Sequence, residues 1–364
     1  MVKKTRVVIL FGGRSSEHTV SCVTATGILR AIDRERFDVI PVGITEQGSF
    51  TLVDEESMTF TLDEKPLRTL DDNGTRIVWP ESANTRELRV IAPHGGVQSL
   101  GEIDVVFPML HGPWGEDGTV QGFLELTSIP YVGNGVLASS VCMDKHVSKT
   151  LFQAAGIQVA PWRTVTRMDI ERNPELTGLF DELTYPLFVK PSRAGSSVGV
   201  SRVTSPEGLP EALDIAFRED HMVLVESAVV GREVEIAVLE GKQGELPRAS
   251  SALGEIVFQG KDFYDFEAKY LGSDGVRLVL PAPVTEAELA SISEAAILAF
   301  TVAQCNGLAR VDFFLTENGP VLNEINTMPG FTPISMYPQL WQHSGLAYAD
   351  LITELIDLAL DTKR

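Results

Sequence analysis

The sequence predicts a mixed α/β and α+β architecture, and three observations carry that expectation. Residues Arg6 to Gly43 read as strand, glycine turn, helix and second strand, the opening of a parallel sheet. A length of 364 residues exceeds what one ordinary core holds and divides into two or three domains. Near the end, two β-branched and aromatic runs, Gly307–Leu315 and Val321–Ile325, flank a turn containing Asn318-Gly319, a strong local hairpin signal.

Taken in order, Arg6–Phe11 is a buried-type strand, followed by Gly12-Gly13-Arg14-Ser15-Ser16-Glu17-His18 and a helix through Ile32. Ser15 or Ser16 is expected at the N-cap, with Glu17 in the first turn, where the helix dipole favours negative charge. Taken alone, Glu17 reads first as helix stabilisation. The dinucleotide pattern GxGxxG is absent, so strand–turn–helix by itself does not specify a cofactor. Phe37–Gly43 and Asp104–Leu110 are further strands. The second runs into His111-Gly112-Pro113-Trp114-Gly115-Glu116-Asp117-Gly118-Thr119, then a short helix to Thr127. Loops at the carboxyl ends of strands in open α/β sheets bind ligands, so His111 is a site candidate, with a structural hydrogen bond as the competing reading.

Pro130–Gly135 reads as a linker and Val136–Ala155 as one helical segment carrying Met143-Asp144-Lys145. Leu187–Pro191 is a strand ending in lysine, followed by Ser192–Val200, whose small residues let backbone N–H groups approach an anion. That loop is not the P-loop pattern, and a plain hairpin turn competes with it. His221–Glu226 is another strand, and Glu226 and Glu233 flank a turn, suited to bonding hydroxyls and an amino group. Phe263–Gly275 is long, aromatic, charged and without clean periodicity, as lids are. Thr285–Cys305 and Gly345–Lys363 are amphipathic helices. Thr45–Leu100 alternates short apolar runs and turns with little functional signal.

Composition excludes several classes. The formal charge of −20 argues against non-specific binding to nucleic acid or membrane; a polyanionic ligand would have to be met by placed lysines, backbone amides and metal. No stretch approaches the roughly 18–20 apolar residues of a membrane span, and Val7–Phe11 is too short for a signal segment. Three scattered cysteines without CxxC spacing read as buried thiols in a reducing, cytoplasmic compartment.

The hairpin's polar residues matter most. Arg310 and Asp312 share one strand face, as do Glu324 and Asn326. A two-residue Asn318-Gly319 turn would pair Asp312 with Ile325, whereas a three-residue loop, Glu317-Asn318-Gly319, would set Asp312 opposite Glu324. Facing carboxylates repel unless a cation lies between them, and Asp, Glu and Asn oxygens suit Mg²⁺. A solvated hairpin with outward charges is the competing reading.

Eight segments in order resemble the D-alanine–D-alanine ligases of the ATP-grasp superfamily. They are GGRSSEHTVS at Gly12–Ser21, LHGPWGEDGTVQG at Leu110–Gly122, MDK at Met143–Lys145 and VKPSRAGSSVG at Val189–Gly199. VESAVVGREVEIAV at Val225–Val238, FYDFEAKY at Phe263–Tyr270, GLARVDFF at Gly307–Phe314 and NEINTMPGFTPISMYP at Asn323–Pro338 complete the set. The resemblance implies an N-terminal open parallel sheet (residues 1–133, substrate-binding) and two α+β units holding ATP between their sheets (134–236, and 237–364 with lid and metal site). It implies that ATP phosphorylates one D-alanine carboxylate and that the amine of a second attacks the acyl phosphate. The product, D-alanyl-D-alanine, enters peptidoglycan precursors. A cytoplasmic homodimer is implied with it.

Roles follow position by position. Asp312, Glu324 and Asn326 resemble the ligands of two Mg²⁺ ions, with Mn²⁺ as an alternative and Glu324 bridging. Lys145, Lys190 and Ser197 match nucleotide-binding positions together with Phe263 and the lid lysine Lys269, and Glu226 and Glu233 match the adenine and ribose positions. Glu17 matches the carboxylate taking the first substrate's ammonium, with His111 beside it. Arg310 and the Gly330 N–H resemble an oxyanion hole, and Ser335 and Met336 the second-substrate pocket. Ser196 and Tyr270 match the polar pair linking Glu17 to the lid. A ligase making D-alanyl-D-lactate is disfavoured by Lys269-Tyr270. An ATP-grasp ligase for other substrates is disfavoured by GGRSSE and NTMPGF. A non-catalytic nucleotide sensor is disfavoured by the intact Arg310, Asp312, Glu324 and Asn326 set.

Overall fold

In the computed structural model, which describes residues 3–258 and 276–361, the N-terminal strands form a four-stranded sheet. It contains β1 (Thr5–Gly12), β2 (Phe37–Ile44) and β3 (Phe50–Leu52). A separate small sheet of β4 (Arg76–Val78), β5 (Glu87–Ile91) and β6 (Val97–Glu102) intervenes before β7 (Val105–Met109) completes the first, in the order β3-β2-β1-β7. β1 runs parallel to both β2 and β7. Its alternate residues enter two cores: Val7, Ile9 and Phe11 one, Val8 and Leu10 the other. Burial on both faces explains why this strand is apolar without interruption.

Helix α1 (His18–Ala31) packs on the first of those faces and α2 (Thr119–Leu126) on the second. The N-cap of α1 is Glu17, not Ser15 or Ser16. Ser15 is used otherwise: its hydroxyl donates to the His111 carbonyl at 2.7 Å and accepts from the Glu17 N–H at 3.3 Å. The Glu17 carboxylate makes no cap bond and is left to face the cleft described below.

Two further sequence expectations are corrected. Pro130–Gly135 is no exposed linker, because Tyr131, Val132 and Asn134 are buried. The Asn134 amide donates to the carbonyls of Leu308 at 2.7 Å and Thr327 at 2.8 Å, tying it to the hairpin strands. The segment after it is two helices, α3 (Val136–Met143) and α4 (Lys145–Ala154). Asp144 breaks them by capping the second, accepting from the N–H groups of His146 and Val147.

The second large sheet holds β8 (Trp162–Thr166), β9 (Leu187–Pro191), β10 (Ser201–Val203) and β11 (Met222–Ser227), all antiparallel in the order β10-β9-β11-β8. α5 (Arg167–Arg172) follows β8, and α6 (Leu209–Glu219) covers one face. The third sheet contains β12 (Arg232–Leu239), β13 (Arg248–Ala249), β14 (Gly254–Phe258), β15 (Val276–Val279), and the hairpin strands β16 (Leu308–Thr316) and β17 (Gly319–Asn326). Helix α7 (Glu286–Val302) packs behind it. α8 (Met336–His343) and α9 (Tyr348–Asp361) return to the N-terminal sheet, where Tyr337, Leu340 and Leu351 join its core.

The segment between Glu226 and Glu233 therefore crosses from one sheet to another rather than closing a hairpin. β12 lies wholly in the third sheet, so a division at 236/237 would cut a strand. We propose that this boundary falls between Ser227 and Arg232.

The hairpin reaches the expected pairing by an unexpected route. Asp312 does oppose Glu324, and Arg310 opposes Asn326. The loop between the paired residues Thr316 and Gly319 has two residues, Glu317 and Asn318, with Gly319 left-handed at φ +106°. That loop alone would set Asp312 opposite Asn323. A bulge between the Phe313↔Leu322 and Asp312↔Glu324 pairs absorbs Asn323 and restores the offset.

Candidate active site

A cleft of about 710 Å³ opens where the three large sheets meet. Its described walls carry six glutamates (17, 116, 226, 233, 235 and 324) against Lys145, Lys190, Arg202 and Arg310. A polyanion therefore enters only if placed cations offset its charge.

At the N-terminal wall Glu17 is 5% exposed and accepts a 2.7 Å hydrogen bond from the Ser196 hydroxyl. Ser196 and Ser197 both take left-handed backbone angles, φ 50° and 60°, which are uncommon outside glycine. That strain turns a loop of the second sheet towards the first. Gly112 is left-handed too, at φ +71°, which favours glycine, and a Cβ there would lie 2.7 Å from a Glu17 oxygen and displace it. His111 directs Nδ1 to the Met328 carbonyl at 3.0 Å. A carbonyl only accepts, so Nδ1 carries the proton. Burial pushes the imidazole below its ordinary pKa, against the opposing influence of Glu17, and Nε2 has no hydrogen-bond partner among the described residues. Glu116 accepts from the Gly112 N–H at 2.6 Å. Burial, and then the nearby Glu17 charge, push its carboxyl up to about 8.

On the second wall Lys145 donates to the Ala194 carbonyl at 2.7 Å, and Lys190 forms an ion pair with Glu226. Lys149, one turn after Lys145 on α4, lies 2.9 Å from the other Glu226 oxygen. Burial pushes Glu226 up, but the two ammoniums outweigh it and hold the carboxyl at about 2. Ser197 and Glu233 also line the cleft.

The third wall is one face of a sheet. On β16 the residues Arg310, Asp312 and Phe314 alternate with the buried Val311, Phe313 and Leu315. On β12, Glu233 pairs with Phe314 and Glu235 with Asp312, which extends the same face. Arg310 grips both Asp312 oxygens at 2.8 and 2.7 Å and lies 3.3 Å from Glu235. Burial works against its charge, but Asp312 and Glu235 keep the guanidinium firmly protonated. The Asn326 amide donates to Asp312 at 2.9 Å. Glu324 and Asn326 line the cleft, whereas Asp312, held by Arg310, is not among its lining residues. Gly330, Ser335 and Met336 form the adjoining rim, where the Ser335 hydroxyl accepts from the Thr332 N–H at 3.1 Å.

Among the described residues no three His, Cys, Asp or Glu side chains gather as metal ligands. The oxygens of Glu324, Asn326 and Asp312 are nevertheless hard donors on one face, and the two lone pairs on each Asp312 oxygen leave capacity beyond Arg310 and Asn326. The donor chemistry fits Mg²⁺. Phe263, Lys269 and Tyr270 lie outside the described residues.

Sequence reasoning assigned no role to Glu116, Lys149 or Glu235. Each had a signal: Glu116 lies in the 110–122 segment, Lys149 is four residues after Lys145 on one helix face, and Glu235 shares a strand face with Glu233.

Comparison with known proteins agrees along the whole chain. The D-ala D-ala ligase N-terminus family model matches residues 6–134, and the D-ala D-ala ligase C-terminus model matches 151–357. A D-alanine--D-alanine ligase of Pseudarthrobacter chlorophenolicus is 50% identical, over 99% of this chain and 95% of that one. Among solved structures, the VanG D-Ala:D-Ser ligase from Enterococcus faecalis superposes with a TM-score of 0.83. It is 34% identical, over 98% of this chain and 100% of that one. A D-alanine--D-alanine ligase from Bacillus anthracis complexed with ATP has a TM-score of 0.70 and 26% identity, over 98% and 97%.

Proposed function

The chain belongs to the D-alanine–D-alanine ligase family, an ATP-grasp family, and from that premise we propose how its own residues carry out the ATP-dependent joining of two D-alanine molecules. The observation that carries the assignment of roles is the convergence of Glu17, Lys190 and Arg310, from three different sheets and their helices, on one cleft. A reaction between two amino acids and a nucleotide needs three subsites that meet, and this cleft supplies them.

Glu17, held by Ser196, takes the ammonium of the first D-alanine and leaves its carboxylate pointing into the cleft. Lys145 and Lys190 hold the phosphates of ATP, Glu226 accepts from the adenine amino group, and Glu233 accepts from ribose hydroxyls. Phe263, Ser197 and Lys269 belong to the same nucleotide site, and Tyr270 to the polar chain with Ser196. A carboxylate oxygen of the first D-alanine bonds to the γ-phosphorus as the bond to ADP breaks. The neutral amine of the second D-alanine, held beside Ser335 and Met336, then attacks the acyl carbon, the carbon–oxygen bond to phosphate breaks, and the leaving phosphate takes the proton that the nitrogen loses. Arg310 and the Gly330 N–H face the oxyanion that develops in that attack, where a preorganised donor contributes roughly 3–4 kcal/mol. Asp312, Glu324 and Asn326 would hold Mg²⁺, which would offset the charge of the phosphates.

No helix among the described residues is long and apolar enough to cross a membrane. A cytoplasmic setting, service to peptidoglycan synthesis and a homodimeric state belong to this proposal on the strength of the family resemblance. The test is ADP release with ATP, Mg²⁺ and D-alanine, against parallel reactions with L-alanine, D-serine, D-lactate, and D-alanine plus EDTA. Turnover is expected with D-alanine and Mg²⁺ alone. A higher rate with D-lactate or D-serine as the second substrate would overturn the product assignment.

A further inference from the structure

Glu226 stands between two ammoniums of different character. Lys190 comes from the adjacent strand β9, lines the cleft and has a side chain 15% exposed. Lys149 comes from α4, lies behind the cleft wall and is 3% exposed. Its Nζ is 2.9 Å from Glu226 Oε2, its only ion-pair partner among the described residues, with the Trp162 ring centroid 5.8 Å away. Nothing in the reaction itself uses this lysine.

A buried ammonium is expensive to keep, and one carboxylate does not need two cations in a protein as acidic as this one. The second becomes useful when the first is called elsewhere. A triphosphate entering the cleft offers Lys190 several negative oxygens in place of one carboxylate. If Lys190 were the sole counter-ion, its transfer would strand Glu226 as a buried charge. The carboxyl would then take up a proton, which turns one oxygen into a donor and leaves a weaker, neutral acceptor for the base. We propose that Lys149 is the resident counter-ion of Glu226, keeping that carboxylate ionised and aimed at the nucleotide base while Lys190 turns to the phosphates. Lys149 is thus a positioning residue for base selection. It favours a purine with an amino donor at position 6 over one with an oxo acceptor there. The inference rests on the reading of Glu226 as the base-recognising group.

The experiment measures binding of ATP and of inosine triphosphate by calorimetry to the full chain with Mg²⁺, for wild type, Lys149→Met, Lys149→Arg, Glu226→Gln and the double variant. A hydrogen bond to a charged group sets the scale, so Lys149→Met should weaken ATP by about 10- to 100-fold and inosine triphosphate little. The KM for D-alanine should not move, and Lys149→Arg should restore part of the preference. In the Glu226→Gln background, adding Lys149→Met should cost no further selectivity. Wild-type preference in Lys149→Met, with preference lost in Glu226→Gln, overturns the role of Lys149. Preference kept at full wild-type strength in Glu226→Gln, whose amide oxygen accepts only as a neutral group, overturns the reading of Glu226 as the charged base-recognising group. Should Lys149→Met fail to fold, the double variant, which lacks both members of that pair, is compared with Glu226→Gln alone. A further loss of selectivity there overturns the proposal, because Lys149 would then act other than through Glu226.

Discussion

Replacing Arg310 by lysine tests the oxyanion assignment most directly. Arg310 commits Nε and one Nη to the two oxygens of Asp312, at 2.8 and 2.7 Å, and that fork orients the rest of the guanidinium towards the cleft. Of its five N–H donors, those not spent on Asp312 remain for a developing oxyanion. Lysine keeps the positive charge that the half-buried Asp312 and the buried Glu235 require, so the fold should survive. Its single ammonium cannot hold both Asp312 oxygens and also reach into the cleft. The expected loss is that of one preorganised donor, about 3 kcal/mol, or on the order of 100-fold in kcat. Nucleotide affinity should change little, because the interaction grows only in the transition state. Steady-state ADP release gives kcat, and calorimetric titration with ATP in the absence of D-alanine gives the affinity. An unchanged kcat with weakened ATP binding would refute the reasoning and make Arg310 a nucleotide anchor.

Three other perturbations follow from the same geometry. Ser196→Ala removes the 2.7 Å hydrogen bond to Glu17 and should raise the KM for the first D-alanine by roughly 10-fold or more while sparing ATP affinity, measured by initial rates at varied D-alanine. Glu226 is held at about 2 against an ordinary 4.5, so its pairing stabilises the fold above pH 4.5 and is lost as pH falls from there towards 2. The amount is about 3 kcal/mol, and urea midpoints of Glu226→Gln should lack that part of the acid slope. Glu116 has the opposite sign: with its carboxyl pushed up to about 8, it favours the folded state when protonated and costs stability as pH rises from 4.5 towards 8. Glu116→Gln, which mimics the protonated group, should flatten stability across that window; an unaltered slope in thermal melts from pH 5 to 8 would show that another group titrates there.

Much of this protein could be read from local pattern. The uninterrupted apolar run of β1, the period-two alternation of Arg310, Asp312 and Phe314, and the hairpin around Asn318-Gly319 are short-range features, and the chain adopts each of them. The hard-donor character of the Asp, Glu and Asn oxygens is likewise read from residue type alone. Convergence itself was not local. The bulge at Asn323 sets Asp312 opposite Glu324, and it forms where it does because both strands must also keep Val311, Phe313 and Leu322 in the core beneath α7. Glu17 becomes an N-cap whose carboxylate meets the Ser196 hydroxyl, while Ser15 is drawn to the His111 carbonyl, 96 residues away. Asn134 is buried in what reads as a linker because two distant carbonyls, of Leu308 and Thr327, need its donors. Lys149 escaped notice because its value depends on Glu226, which only the packing of α4 against the second sheet brings within 2.9 Å. Periodicity and propensity act over a few residues, so sequence reports them; register shifts and buried charge pairs are decided by the sum of contacts from many segments at once, and those exist only when the chain is folded.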